Sequence, residues 1–367
     1  MVTVPLFGMR RDLGEGEIAN DASKRLVFLR QSEIHSYSWV EGRLLTAWLM
    51  AATWQLSLSP AGAHYRLVSV TRLTALIGIV TISFSAIFVR LADVSPATAA
   101  FFRVAYAVPV LLIALRFVAD TRTRKERLLA FAAGGLLAVD LTLWHTAIIY
   151  IGAGLSTVVA NSQVLWVGLF AWIIHRERPS VAAFAIVPIV LVGIALIGGI
   201  GSSDAYGSNP SLGAILALGA GVTYTGFLLM LRAANRRLAP TPGPLLDASA
   251  GAVLGMLVVA PFDPDFSFAF TWPAHGWLLL LGTLIQVFGW LLITKALPRL
   301  PALDTSVMLL LQPALTIVWA RIIFTESLGV LQWAGVAMVL VGILIASLLG
   351  TVRPSPPTAE PQMAPIP

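Results

Sequence analysis

The sequence contains no cysteine. That excludes disulfides, thiolate metal sites and cysteine nucleophiles. Charge is scarce as well. Asp, Glu, Lys and Arg make up 11% of the 367 residues, against roughly a quarter in soluble domains. With 57% hydrophobic residues, the chain has too little polar surface to face water on all sides. No G-x-x-x-x-G-K-[ST] loop is present, so direct ATP drive has no support. No His, Asp and Glu cluster has metal-ligand spacing, and no cofactor is implied. What the chain has in quantity is apolar stretches of about 20 residues, the length that crosses a bilayer as helix. The fold class read from this is an all-α polytopic membrane protein.

Ten spans are predicted, near 73–92, 97–117, 128–149, 153–174, 180–199, 211–231, 243–261, 272–294, 302–323 and 330–349. Basic residues collect in alternate breaks: Arg122, Arg124, Lys125 and Arg127, then Arg176 and Arg178, then Arg232, Arg236 and Arg237, then Lys295 and Arg299. The breaks 200–210 and 262–271 hold no Lys or Arg but contain Asp204, Asp263 and Asp265. By the positive-inside rule both ends of the ten-span core are expected in the cytoplasm. The net charge of +6 is thus a topology signal, and no nucleic-acid partner is expected. The expected location is the bacterial inner membrane, multi-pass, with the lipid bilayer as one partner and a monomer or homodimer as the assembly.

The ends differ in kind. Residues 1–69 read as an N-terminal extension. Its apolar run Leu44–Leu58 is either an interfacial helix or the product of a start assigned too far upstream. Residues 351–367 carry six prolines and read as a disordered tail.

An internal repeat is visible at an offset of 149 residues. Gln163 meets Gln312, Glu177 meets Glu326, and Val190–Ile194 meets Val339–Ile343, with no gap. The paired Gln, Glu and Gly carry more weight than the apolar matches. Two halves of five spans, 70–199 and 211–350, would enter the membrane from opposite sides. Inverted repeats are a transporter architecture, in which two similar halves alternate access to a central site.

Three places carry a resemblance to a known family. They are Phe101–Ala107 with its arginine, Ala147–Tyr150 with Arg176–Arg178 after the following helix, and Ala296–Pro298 with Gln312–Pro313, Thr325–Ser327, Gly335 and Gly342. Over about 70–350 the chain resembles the drug/metabolite transporter superfamily in its EamA-type branch. The resemblance implies ten helices, an inverted duplication, and export or exchange of small organic solutes through a central cavity. It does not name a substrate. The second-repeat counterpart of Arg103 falls near Asp247, so the two half-sites differ chemically.

Ionisable groups in a bilayer interior must pair or line water. Arg103 in span 2 and Asp140 in span 3 reach similar depth, and an ion pair between them is expected, either as a static tie or as a substrate or proton site. Trp144 lies one turn beyond Asp140 on the same face. His145 is a further candidate gate or proton site, because histidine titrates near neutral pH. Gln286 and Trp290 in span 8 repeat the polar-plus-aromatic spacing. Asn161, Gln163 and Trp166 in span 4, with Gln312 before Pro313 in span 9, complete the candidate set. Asn161 and Gln163 share a side only if the helix is broken there. Glu177 and Glu326 are expected to cap helices at the water interface. Lys295 and Asp304 are expected to form a weak surface pair. The functional reading is a secondary-active transporter or exchanger, not an enzyme, which exports a small amphipathic metabolite such as an amino acid. Proton coupling and passive exchange both stay open. A membrane scaffold or receptor is the alternative, and an intramembrane enzyme is a weaker one, since no convergent catalytic set is present.

Overall fold

The computed structural model describes residues 60–175, 181–235, 242–300 and 302–349. The expectations for Leu44–Leu58, Glu177 and the tail after 350 fall outside the described residues. The described residues from Leu67 onward form one compact unit.

Every regular element among the described residues is helical. In chain order they are α1 (Pro60–Ser83), α2 (Ser85–Ala92), α3 (Pro96–Leu115), α4 (Arg124–Ala160), α5 (Gln163–His175), α6 (Val181–Ile197), α7 (Pro210–Ala234) and α8 (Pro242–Val259). Then follow α9 (Ala274–Leu280), a π-helical segment (Leu281–Gly289), α10 (Trp290–Ala296), α11 (Ala302–Phe324) and α12 (Val330–Leu349). Eight helical stretches among the described residues are long and apolar enough to cross a membrane: Val70–Ala92, Pro96–Leu115, Arg124–Ala160, Pro210–Ala234, Pro242–Phe262, Ala274–Ala296, Asp304–Phe324 and Val330–Leu349. Ala185–Ile197 is apolar but shorter. The protein is a multi-pass membrane protein.

Polar residues at the starts of these helices satisfy the backbone donors that the first turn leaves free. Ser95 caps α3, accepting from the Thr98 N–H at 3.3 Å, and Pro96 follows where its missing N–H costs nothing. Thr123 and Glu126 form a reciprocal capping box at α4. Asn209 accepts from the Leu212 N–H at 3.1 Å and opens α7.

Four predicted spans are irregular, the eighth through its π-helical segment. Span 1 is interrupted at Phe84, between α1 and α2. The third and fourth spans run together in α4, with a kink at Gly152, whose φ of 82° suits glycine. The fourth is broken again at Asn161–Ser162 before α5. It is therefore not the continuous helix that the sequence predicts.

Close helix contacts replace hydrophobic drive, which is weak between helices in lipid. A Cβ on Gly251 of α8 would lie 1.9 Å from the Phe131 carbonyl oxygen on α4, and one on Gly134 of α4 would lie 2.2 Å from the Ala248 carbonyl oxygen. The small-residue face of α8 thus seats on α4. Gly193 of α6 and Gly335 of α12 approach each other's carbonyls in the same way. Gly251→Leu should overpack the α4–α8 contact and cost about 1–3 kcal/mol. Purified protein in detergent should then unfold several degrees below the wild type, whereas Gly135→Ala, where a Cβ meets nothing within 4 Å, should not lower the midpoint.

Candidate functional site

The centre of the site is Arg103. It lies on α3, on the edge of a buried stripe formed by Ala97, Ala100, Val104, Ala107 and Leu111, and only 6% of its surface is exposed. Its Nε donates to Gln286 Oε1 at 2.8 Å, and Nη1 donates to Ser85 Oγ at 3.1 Å. The guanidinium also faces the Trp144 ring, 5.7 Å from the centroid, within cation–π range.

The local backbone explains these contacts. Ser85 opens α2 just past the interruption at Phe84. Gln286 sits in the π-helical segment, and such segments commonly re-aim side chains at functional sites. Gly282 lets that segment close on α3, since a Cβ there would lie 2.7 Å from Tyr106 Cβ and 2.9 Å from the Arg103 carbonyl oxygen.

The expected Arg103–Asp140 ion pair is not formed. No hydrogen bond or ion pair joins the two among the described residues; Gln286 and Ser85 occupy the guanidinium instead. Asp140 is buried at 7% exposure and lies within electrostatic reach of both Arg103 and Tyr224. It has no hydrogen-bond partner among the described residues. The two charges are therefore neighbours with their bonding capacity toward each other unused.

The structure brings Arg103, Asp140, Trp144, His145 and Gln286 together, and adds Trp290 through its ring contact with Tyr224 at 6.3 Å. The Trp144 Nε1–H and His145 Nε2 are buried without a partner. Asn161, Gln163, Trp166 and Gln312 do not join this set of hydrogen bonds. The Asn161 side-chain amide donates to the Thr157 carbonyl at 2.8 Å, closing its own helix end. The Gln163 carbonyl accepts from Thr225 Oγ1 at 3.2 Å. Trp166 Nε1 is buried and unpartnered, and the Gln312 carbonyl accepts from Thr316 Oγ1 at 3.0 Å. Ser85 and Tyr224 were not expected from the sequence. A lone Ser or Tyr in an apolar span carries no periodic signal, and the break at Phe84 has no Gly or Pro to announce it.

A second charged cluster surrounds Glu326, which follows α11. Glu326 lies between two spanning stretches but is 1% exposed, so it is buried in protein and is not a solvated cap. It also caps a different helix from the one that follows it. Its carboxylate accepts from the Ala153 and Gly154 N–H groups at 2.8 and 3.3 Å, just past the kink at Gly152, and pairs with Arg90 of α2. A Cβ on Gly152 would lie 2.6 Å from Glu326 Oε1, so a larger residue would displace the carboxylate. The Arg90 guanidinium also stacks on Phe324 at 4.3 Å and donates to the Tyr206 hydroxyl at 3.4 Å.

Asp247 is buried near the other end of the helices. Its carboxylate makes ionic contacts with Arg122 at 2.7 Å and Arg127 at 3.5 Å, so it is a tie and not a second central site. Asp304 pairs with Arg72 at 2.7 Å instead of Lys295, because α1 brings the arginine alongside α11.

The profile of the EamA-like transporter family matches residues 71–199 and again 211–348. The chain belongs to that family. It is 25% identical over 234 residues to an uncharacterised transporter of Synechocystis, covering 63% of this chain and 69% of that protein. It is 24% identical to the uncharacterised transporter YwfM of Bacillus subtilis, over 60% of this chain and 73% of that one. A third relative, an uncharacterised transporter of Archaeoglobus fulgidus, is 26% identical over 72% of this chain and 93% of its own length. A crystal structure matches with a TM-score of 0.51 at 20% identity, over 77% of this chain and 97% of that one, which supports the fold alone. The family and these relatives are transporters, not enzymes.

Burial pushes the Glu326 carboxyl up from the ordinary glutamate range, and the Ala153 N–H, Arg90 and the Gly154 N–H pull it only part of the way back. A carboxyl raised on folding binds protons more tightly in the native state. Its contribution to stability is therefore full below the unfolded value and lost as pH rises through the folded one. Removing that proton linkage with Glu326→Gln should flatten the thermal midpoint against pH across the weakly acidic range. The midpoint of detergent-purified wild type, relative to the variant, should climb as pH falls through that range.

Proposed function

We propose that the protein is a secondary transporter which exports a small amphipathic solute, an amino acid in the leading case, across the bacterial cytoplasmic membrane. The observation that carries this reading is the buried Arg103–Gln286 contact beside an unbonded Asp140. A transported zwitterion has a carboxylate and an ammonium. The carboxylate suits Arg103, whose planar donors match it in bidentate fashion. The ammonium suits Asp140, whose oxygens have no competing donor in the cluster. Trp144 supplies an apolar wall for the side chain and an unpaired N–H.

Gln286 belongs to the second family-matched segment and Arg103 to the first. On this reading the site lies between two inverted five-helix halves, with both core termini cytoplasmic, and alternates access as the halves rock. The two matches to one family profile and the one-sided distribution of basic loop residues support that arrangement. When the solute leaves, Gln286 retakes the guanidinium. That avoids a bare buried cation, whose lost hydrogen bond would cost about 1.5–3 kcal/mol. The driving ion is left as proton or none.

The test is uptake of labelled phenylalanine into proteoliposomes of purified protein, competed by a panel of amino acids, nucleosides and organic cations. Saturable uptake blocked by amino acids supports the reading; saturable uptake blocked only by nucleosides or cations replaces the substrate class. Asp140→Asn should lower uptake about tenfold or more while leaving the yield of folded, reconstituted protein unchanged. Loss of folded protein would instead assign Asp140 a purely structural role.

A further inference from the structure

The last turns of α11 place a cation inside an apolar spanning stretch. Arg321 stands three residues before Phe324, the end of that stretch, or about 4.5 Å from it at 1.5 Å per residue. Val318, Arg321 and Ile322 share one face of the helix at i, i+3 and i+4. On α12, Trp333 stands three residues after Val330, the first of the next stretch, and so at a similar short depth. Tryptophan is enriched at that level, where the acyl chains meet the headgroups.

A cavity of about 340 Å³ lies between these two helix ends. Val318, Arg321, Ile322, Ser327, Leu328 and Trp333 are in its wall. The volume is within the range of small-molecule sites. Ile322 is 66% exposed and Trp333 50%. Apolar side chains this open on spanning helices face acyl chains, so the groove opens sideways to the lipid.

The charge in this groove has no counter-charge. Arg90 and Arg103, the arginines described above in other spanning stretches, bond to side chains of the protein. Arg321 is exposed and bonds only to carbonyls. Its Nη1 donates to the Thr325 and Glu326 carbonyl oxygens, each at 3.2 Å. Those contacts hold the guanidinium against the α11–α12 turn without neutralising it. Nε and Nη2 form the edge that grips an anion in bidentate fashion. They have no acceptor among the described residues. The one carboxylate in the wall, Glu326, is already taken by Arg90 and by the Ala153 and Gly154 N–H groups. The Ser327 hydroxyl makes no hydrogen bond among the described residues. A cation at the edge of the hydrocarbon calls for a partner of opposite sign, and here the protein offers none.

We propose that this groove binds the phosphate of an anionic phospholipid from the surrounding leaflet. Arg321 Nε and Nη2 and the Ser327 hydroxyl are the donors, and an acyl chain lies along Val318, Ile322 and Trp333. A phosphodiester offers two charged oxygens to the planar guanidinium edge. Phosphatidylglycerol adds no positive group. Phosphatidylcholine carries the same phosphate, but its quaternary ammonium finds no free carboxylate in the wall. Inorganic phosphate satisfies the cation and leaves the apolar walls uncovered. The groove contains no residue of the Arg103 centre, so the site goes beyond the transporter reading and does not rest on it.

The test is native mass spectrometry of the full chain, purified and delipidated in a neutral maltoside detergent. Phosphatidylglycerol, phosphatidylcholine or diacylglycerol of the same chain length is titrated in, with no transported solute present. Phosphatidylglycerol should form a saturable one-to-one adduct, and the other two should bind about tenfold more weakly or worse. Arg321→Gln should raise the half-saturating phosphatidylglycerol about tenfold, the loss of one charge-assisted contact. Val318→Phe, which fills the groove and leaves the arginine in place, should do the same. Arg116→Gln removes an exposed arginine elsewhere and should change nothing. The thermal midpoint of each variant in lipid-free detergent checks folding, and Val318→Phe decides the matter if Arg321→Gln does not fold. The proposal is overturned if phosphatidylcholine or diacylglycerol binds equally well, if the adduct survives the groove variants, or if Arg116→Gln weakens it as much. Competition by millimolar inorganic phosphate would reassign the groove to a free anion and overturn it too. Lipid binding without phenylalanine uptake keeps this site and rejects the amino-acid reading; uptake without lipid binding does the reverse.

Discussion

An arginine held in a water-poor interior sets the conditions for the rest of the molecule. An ionised group at mid-bilayer costs about 2.5–3.5 kcal/mol on insertion scales, and Arg103 is nearly inaccessible to solvent. It is tolerated because two other elements bring donors' partners to it. Ser85 reaches it from α2 and Gln286 from the π-helical segment. Both partners lie at irregular backbone. The interruption at Phe84 and the π-helical turns are places where a regular helix would aim its side chains elsewhere. Backbone irregularity at membrane depth is tolerated only where it is buried in protein or lines a cavity, and here it surrounds the charge.

The Glu326 cluster solves the opposite-sign problem with the same means. A carboxylate buried beyond α11 finds two backbone N–H groups at the start of the half-helix after Gly152, plus the Arg90 guanidinium. The kink creates the free N–H groups, and the carboxylate satisfies them. Gly152 is needed twice, for its positive φ and for the room the carboxylate takes. The second half of the sequence thus completes two structures in the first, Gln286 for Arg103 and Glu326 for the α4 kink.

The membrane class, most of the spans and the family were legible because hydropathy runs and matched polar residues survive in one dimension. Arg103, Asp140, Trp144 and Gln286 were legible as site candidates because polar residues in apolar spans stand out. Their bonding was not. Matching depth suggested an Arg103–Asp140 pair, but depth says nothing about azimuth, and the π-helical turns that aim Gln286 have no sequence marker. Glu326 was misplaced because its position before a helix suggests a local cap. Its true partners lie more than 170 residues away in sequence, and only the fold brings them near. Asn161 and Gln163 show the reverse error. They stand at a broken helix end, where the Asn161 amide donates to the Thr157 carbonyl one turn back.

The identity of the Arg103 partner bears on how such a site works. A carboxylate bonded to the guanidinium would cancel its charge, and separating that pair in a low dielectric costs more than separating a neutral contact. Gln286 satisfies the hydrogen-bonding geometry and leaves the charge in place. The negative counterpart is kept nearby, on Asp140, but unbonded. For the proposed transport cycle this separation matters more than the number of polar groups. A solute carboxylate competes with an amide and not with an anion, so the exchange of one partner for the other at Arg103 is close to balanced. A closely balanced exchange is what lets a site both take up its cargo and release it.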